Sequence, residues 1–132
     1  MTASMQTSIA PSVFVVDDEP EMRMLARVFL ERDGFNVIDE AEDGPQALER
    51  FLDLNPPPIP SVVLLDNRMP GLTGLEVAER MLSRHPGQMI VLFSAHLDSA
   101  VREKARSIGI AACASKMEAS KVPGIIRTLL QG

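Results

Sequence analysis

The chain has 132 residues, 45% of them hydrophobic and 23% charged, a size and balance that suit one compact domain around one core. Its formal net charge of −5 argues against direct nucleic-acid contact, because counterion release from a phosphate backbone needs clustered Lys and Arg. No uninterrupted apolar run exceeds five residues, as at Met89 to Phe93, against the roughly 20 that cross a bilayer, so no membrane insertion is expected. The opening MTASMQTSIAPS has neither a basic n-region nor an apolar h-region, so residues 1–11 read as a disordered N-terminal segment rather than a secretory signal. A single cysteine, Cys113, excludes an intramolecular disulfide and a multi-cysteine zinc site, and fits a cytoplasmic location. All five aromatics are Phe, so aliphatic residues and eight Met must fill the core.

The first apolar run, Val13 to Val16, does not alternate with polar residues and reads as a strand buried on both faces. Pro20 then suits the first turn of a helix whose apolar positions are Met22, Leu25, Ala26, Phe29 and Leu30, with Gly34 as the stop. Val37 to Ile38 is a short second strand. The turn Asp43-Gly44-Pro45 opens a second helix from Pro45 to Leu54, carrying Ala47, Leu48, Phe51 and Leu52 on one face. Asn55 and the prolines at 56, 57, 58 and 60 end that helix in an extended loop.

Val62 to Leu65 and Met89 to Phe93 read as third and fourth strands, with a weaker fifth at Ala111 to Ala114. Between them, Leu75, Val77, Ala78, Met81 and Leu82 mark a third helix that stops near His85-Pro86-Gly87. Ala100, Val101, Ala105 and Ile108 mark a fourth, ending at Gly109. Ser120 is the expected cap of a fifth, with Pro123 in its first turn and Ile125, Ile126, Leu129 and Leu130 facing inward. Five β-α units in strict alternation predict a doubly wound α/β sheet with helices on both faces. As a lone Cys in a strand, Cys113 is expected in the core, and a redox role is the alternative.

In such sheets ligands bind beyond the carboxyl ends of the strands. The first strand ends in Asp17-Asp18-Glu19, the third in Asp66, the fourth in Ser94-Ala95 and the fifth in Ser115-Lys116. Three aspartates, a hydroxyl and a lysine therefore converge on one rim. Clustered carboxylates raise one another's pKa, and a hard divalent cation relieves them. Asp18, Asp66, Asp17 through water and a carbonyl just after Asp66 would supply oxygen ligands. If Asp66 is a nucleophile on phosphorus, Lys116 and Ser94 are placed to bind the phosphoryl oxygens. Taken singly, the acids read as helix caps or turn residues and Lys116 as a solvated lysine. It is their joint placement that favours a site.

VVDDEPEMR, VVLLDNRMPGLTGLEV, LFSA and ASK, with 48 residues from Asp18 to Asp66, 28 more to Ser94 and 22 more to Lys116, resemble the receiver domain of two-component response regulators, the CheY-like family. The resemblance runs from about Val13 to Leu130 and assigns residues 12–132 to one receiver domain. It implies a flavodoxin-like fold of three layers, with five helices and a five-stranded parallel sheet in the order 2-1-3-4-5. It also implies that Asp66 is the phosphoacceptor, fed by a sensor histidine kinase or a histidine phosphotransfer protein. Asp17, Asp18, Asp66 and the Arg68 backbone carbonyl would hold Mg²⁺, with Mn²⁺ as a substitute. Ser94 would be the switch hydroxyl and Lys116 would bind the phosphoryl group. The output would be a change in the surface of the fourth helix, fifth strand and fifth helix, read by a downstream protein, an output domain beyond this chain, or a second copy in a homodimer.

Several positions depart from the family pattern. Cys113 stands at the switch position where an aromatic is common, so aromatic coupling cannot operate there. Met117 follows the lysine where proline in a cis bond is usual, and a trans peptide is expected because a cis bond before a non-proline residue costs about 2.5–4 kcal/mol. Arg68 and His96 occupy the positions that gate water attack on an aspartyl phosphate, which predicts an unusual phosphoryl lifetime. Two other readings compete with the switch. A phosphatase of the haloacid-dehalogenase type would need a second Asp where Arg68 stands. A pseudo-receiver, acting as a phosphorylation-independent interaction module, would be expected to lack one of the acids or the lysine.

Overall fold

Four consecutive apolar residues cannot alternate between core and water, so such a strand needs cover on both faces of its sheet. β1 (Ser12–Val16), β3 (Val62–Leu65) and β4 (Met89–Ser94) are buried along nearly their whole length. β2 (Asn36–Ala41) and β5 (Ala112–Ser115) form the edges of a parallel sheet in the order β2-β1-β3-β4-β5, as expected. The computed structural model describes residues 10–53 and 60–132; the disorder expected for residues 1–9, the end of the second helix at Leu54 and the loop from Asn55 to Pro58 lie outside the described residues.

The helices are α1 (Pro20–Arg32), α2 (Gly44–Asp53), α3 (Gly74–Arg84), α4 (Ser99–Ile108) and α5 (Val122–Gln131). Alternate strand residues divide between two cores. Val13, Val15, Leu64, Val91 and Phe93 pack on Ala26 and Leu30 of α1 and on Val122 and Ile126 of α5. Phe14, Val16, Leu65, Ile90 and Leu92 pack on Ala47 and Phe51 of α2, Val77 and Met81 of α3 and Ala105 of α4. The result is three layers. The local signals operate as read: Asp43 Oδ1 accepts the Gln46 N–H at 2.7 Å at the start of α2, and Gly109 ends α4 at φ +108°.

Several expectations are corrected. β2 extends through Asp39 and Glu40, because arginines of α1 and α2 pair with both acids on an edge strand: Arg50 with Asp39 at 3.1 Å and Arg23 with Glu40 at 3.3 Å. Leu25 faces outward beside Met24 and Val28, while Met22 and Phe29 are half-buried beside Ala26 and Leu30. Leu52 and Leu130 are likewise exposed, as is Ala100. Ser120 does not cap α5. A 3₁₀ segment, Lys116–Lys121, precedes that helix, and Ser115 caps the segment instead by accepting the Met117 N–H at 3.1 Å. Pro123 lies in the first turn of α5, where its missing N–H needs no cap. Cys113 is only half-buried, since its strand is an edge.

Candidate functional site

Backbone pairing carries the two central acids to the rim of the sheet. The Asp17 N–H donates to Ala41 O at 3.0 Å and the Asp66 N–H to Val16 O at 2.9 Å, so each acid continues the ladder by one residue beyond its strand. The turn after Asp66 is closed by Asn67, whose carbonyl accepts the Gly74 N–H at 2.8 Å and whose Oδ1 accepts the Leu75 N–H at 3.1 Å. The N-terminus of α3 thus sits directly against the Asp66 backbone. A Cβ on Gly74 would fall 2.2 Å from Asp66 O, so only glycine permits that approach. Thr73 and Glu76 complete a capping box on the same turn.

Asp17 and Asp66 are 1% and 2% exposed, whereas Asp18 and Glu19 stand at the surface. Lys116, from the far end of β5, brings its Nζ to 2.8 Å from Asp17 Oδ2, 3.1 Å from Glu19 Oε1 and 3.2 Å from Asp66 Oδ2. The Arg68 N–H points at Asp66 Oδ1 from 3.4 Å, and the Glu19 N–H donates to Asp17 Oδ1 at 2.9 Å. Buried Ser94 accepts the His96 N–H on its hydroxyl oxygen at 3.2 Å, which leaves the hydroxyl proton free to donate elsewhere. Asp18, Glu19, Asp66, Arg68, Ser94, His96 and Lys116 bound one open cavity of about 250 Å³.

Burial, with the neighbouring Asp17 charge second, pushes Asp66 from the ordinary 3.8 up to about 6, against the opposing pull of Lys116. Burial also raises Asp17, offset in part by the adjacent Lys116 ammonium and the Glu19 N–H. At Lys116 burial opposes the charged form, but the summed attraction of Asp17, Asp66 and Glu19 holds its pKa above the usual lysine value. One ammonium thus leaves the acids undercompensated. Asp17 Oδ2 records this directly: it is ion-paired with Lys116 yet accepts no properly aligned hydrogen bond. Carboxylate oxygens of Asp17, Asp18 and Glu19 lie within 4.8 Å of one another. An all-oxygen donor set in which buried Asp17 Oδ2 has spare acceptor capacity fits a hard divalent cation.

The rim therefore unites Asp17, Asp18, Asp66, Arg68, Ser94, His96 and Lys116, all of them expected there. Cys113 is not with them; it lines a separate recess with Arg102 and Arg106 of α4. Glu19 is the residue whose role the sequence reading missed. Its signal was the third acid in a row beside a distant lysine.

With this geometry in view, the family model for the response regulator receiver domain matches residues 13–122. The chain belongs to that family and is a receiver domain of the kind found in two-component response regulators. Over 87 residues it is 41% identical to the positive alginate biosynthesis regulatory protein of Pseudomonas aeruginosa, a match covering 64% of this chain and 34% of that protein. The chain spans about a third of the length of the curated relatives it matches. It is similar in structure to the signal receiver domain of NarL from Mycobacterium tuberculosis, at TM-score 0.85 and 31% identity, covering 95% of this chain and 99% of that one. It also shares its fold with the CheX–CheY–BeF3–Mg complex structure from Borrelia burgdorferi, at TM-score 0.88 and 22% identity, covering 96% of this chain and 94% of that one. Among the described residues, no helix is long and apolar enough to cross a membrane.

Proposed function

We propose that the domain is a cytoplasmic, phosphorylation-dependent switch in which Asp66 accepts a phosphoryl group from a phosphohistidine of a sensor histidine kinase or a histidine phosphotransfer protein. The observation that carries this reading is the placement of Asp66: buried, 3.2 Å from the Lys116 ammonium, and lining a cavity that Ser94 also lines. An Asp66 oxygen attacks phosphorus, the phosphorus–nitrogen bond breaks, and its electron pair returns to the imidazole, leaving neutral histidine and an aspartyl phosphate. Lys116 exchanges Glu19 for a phosphoryl oxygen, and the Ser94 hydroxyl donates to another.

Asp17, Asp18, Asp66 and the Arg68 backbone carbonyl are the groups that would hold Mg²⁺, or Mn²⁺ in its place, and a cation bound there supplies neutralisation of charge on the transferring group. Hydrolysis requires water to reach phosphorus opposite the Asp66 oxygen, and Arg68 and His96 flank that approach from exposed positions. They set the phosphoryl lifetime. The domain turns over no separate substrate and so acts as a switch rather than an enzyme. Drawing Ser94 toward the phosphoryl group biases a two-state equilibrium in α4, β5 and α5, the face offered to a downstream protein, an output domain or a second copy.

Intact mass after incubation with Mg²⁺ and a small acyl-phosphate donor tests the reading. A single phosphoryl increment is expected on the wild type, with none on Asp66→Asn and none without metal. Failure of both this donor and a phosphohistidine donor would replace the switch with a phosphorylation-independent interaction module.

A further inference from the structure

We infer that Arg23 is a positioning residue for the acidic loop 17–19, tying the Asp17 backbone to the end of β2 so that the loop's carboxylates face a common cation. The inference rests on the proposal that these acids hold Mg²⁺. Four carboxylates crowd this rim against Lys116, and their mutual repulsion favours an open loop. Something must hold it closed. Lys116 pairs with the Asp17 and Glu19 side chains, and two tethers hold the Asp17 backbone: its N–H, bonded to Ala41 O at 3.0 Å, and Arg23, whose Nη1 donates to Asp17 O at 2.7 Å.

Arg23 is itself fixed. Its Nε lies 3.3 Å from Glu40 Oε1, and the other Glu40 oxygen is held by Arg27 through Nε at 2.9 Å and through Nη2. A guanidinium is rigid and planar, so it can bridge a carbonyl and a carboxylate at once. Arg23 and Glu40 side chains are 20% and 28% exposed, which makes this link better shielded than an ordinary surface pair. The geometry thus separates two roles on one carboxylate: Arg23 touches both Glu40 and the acidic loop, whereas the bonds of Arg27 run to Glu40 and Glu31.

Mg²⁺ affinity, measured by titration calorimetry on the whole chain, distinguishes a positioning role from a merely structural one. Arg23→Met keeps the length of the side chain without its donors and is expected to weaken Mg²⁺ binding about tenfold or more, the usual cost of removing an outer support of a metal site. Arg23→Lys retains charge but cannot span both partners, and should fall between Arg23→Met and the wild type. Arg27→Met removes a Glu40 contact and lowers the melting temperature, yet should leave Mg²⁺ affinity within about twofold, because its bonds do not reach the acidic loop. Wild-type affinity in both Arg23 variants, or equal loss in Arg27→Met, would overturn the inference while leaving the proposed function intact. A wild type that binds no Mg²⁺ would overturn both.

Discussion

The Lys116 ammonium sits 3.2 Å from Asp66 Oδ2, reaching from the edge strand β5 across the end of β4 to a carboxylate on β3. A residue 50 positions later in the chain thereby influences the charge of the proposed phosphoacceptor. Without a cation or a phosphoryl group, it is the principal compensation that buried Asp17 and Asp66 have, and measurable consequences follow from its being shared between them and the exposed Glu19.

Asp66 should make the metal-free protein less stable as pH rises. Its folded pKa of about 6 lies above the ordinary 3.8, so the native state binds the proton more tightly. The contribution is full below the unfolded value and is lost as pH rises through about 6; a shift of about two units corresponds to at most about 3 kcal/mol. Asp66→Asn is therefore expected to be more stable than the wild type at pH 7 and nearly equal to it at pH 4. Urea melts of both proteins across that range check this, and added Mg²⁺ should narrow the gap.

Lys116→Met should destabilise by about 3 kcal/mol at pH 8, the cost of breaking a buried ion pair from one side, and by clearly less at pH 5, where the carboxylates can protonate. Parallel denaturant curves at the two pH values test it. An equal loss at both would mean that packing of the lysine stem, not charge, is what the site needs.

Gly74→Ala should cost about 1–3 kcal/mol by overpacking, because its Cβ would meet Asp66 O at 2.2 Å. The strain falls on the backbone of Asp66, the proposed phosphoacceptor. Phosphorylation from an acyl-phosphate donor should therefore slow even at temperatures where circular dichroism shows the variant fully folded. Gly87→Ala, with open space around its Cβ, is the neutral control.

Cys113 should alkylate more slowly than free cysteine at pH 7. Burial raises its thiol pKa, and the nearby Arg102 and Arg106 only partly oppose that shift. The rate of iodoacetamide labelling, followed by intact mass from pH 7 to 9.5, should climb past the point where free cysteine levels off. A rate at or above that of free cysteine at pH 7 would contradict this.

The central strands were legible because Val13 to Val16, Val62 to Leu65 and Ile90 to Leu92 are apolar on both faces, a pattern that few environments satisfy. The rim residues were legible because each directly follows such a run. What escaped the reading depended on partners distant in sequence. Asp39 and Glu40 look like strand breakers until arginines 11 to 17 positions away neutralise them. In α1, Leu25 and Ala26 are adjacent apolar residues on different faces, and only the sheet decides which turns inward. Glu19 engages Lys116 across 97 residues, a pairing that no local pattern encodes.

Asp17 and Asp66 are held at the rim by their backbone N–H groups, bonded to Ala41 O and Val16 O, and not by their carboxylates. Scaffold and chemistry are therefore separable. Replacing either acid leaves the amide rail that presents it, so the shape of the rim survives loss of the side chain, and restoring a carboxylate asks nothing new of the backbone.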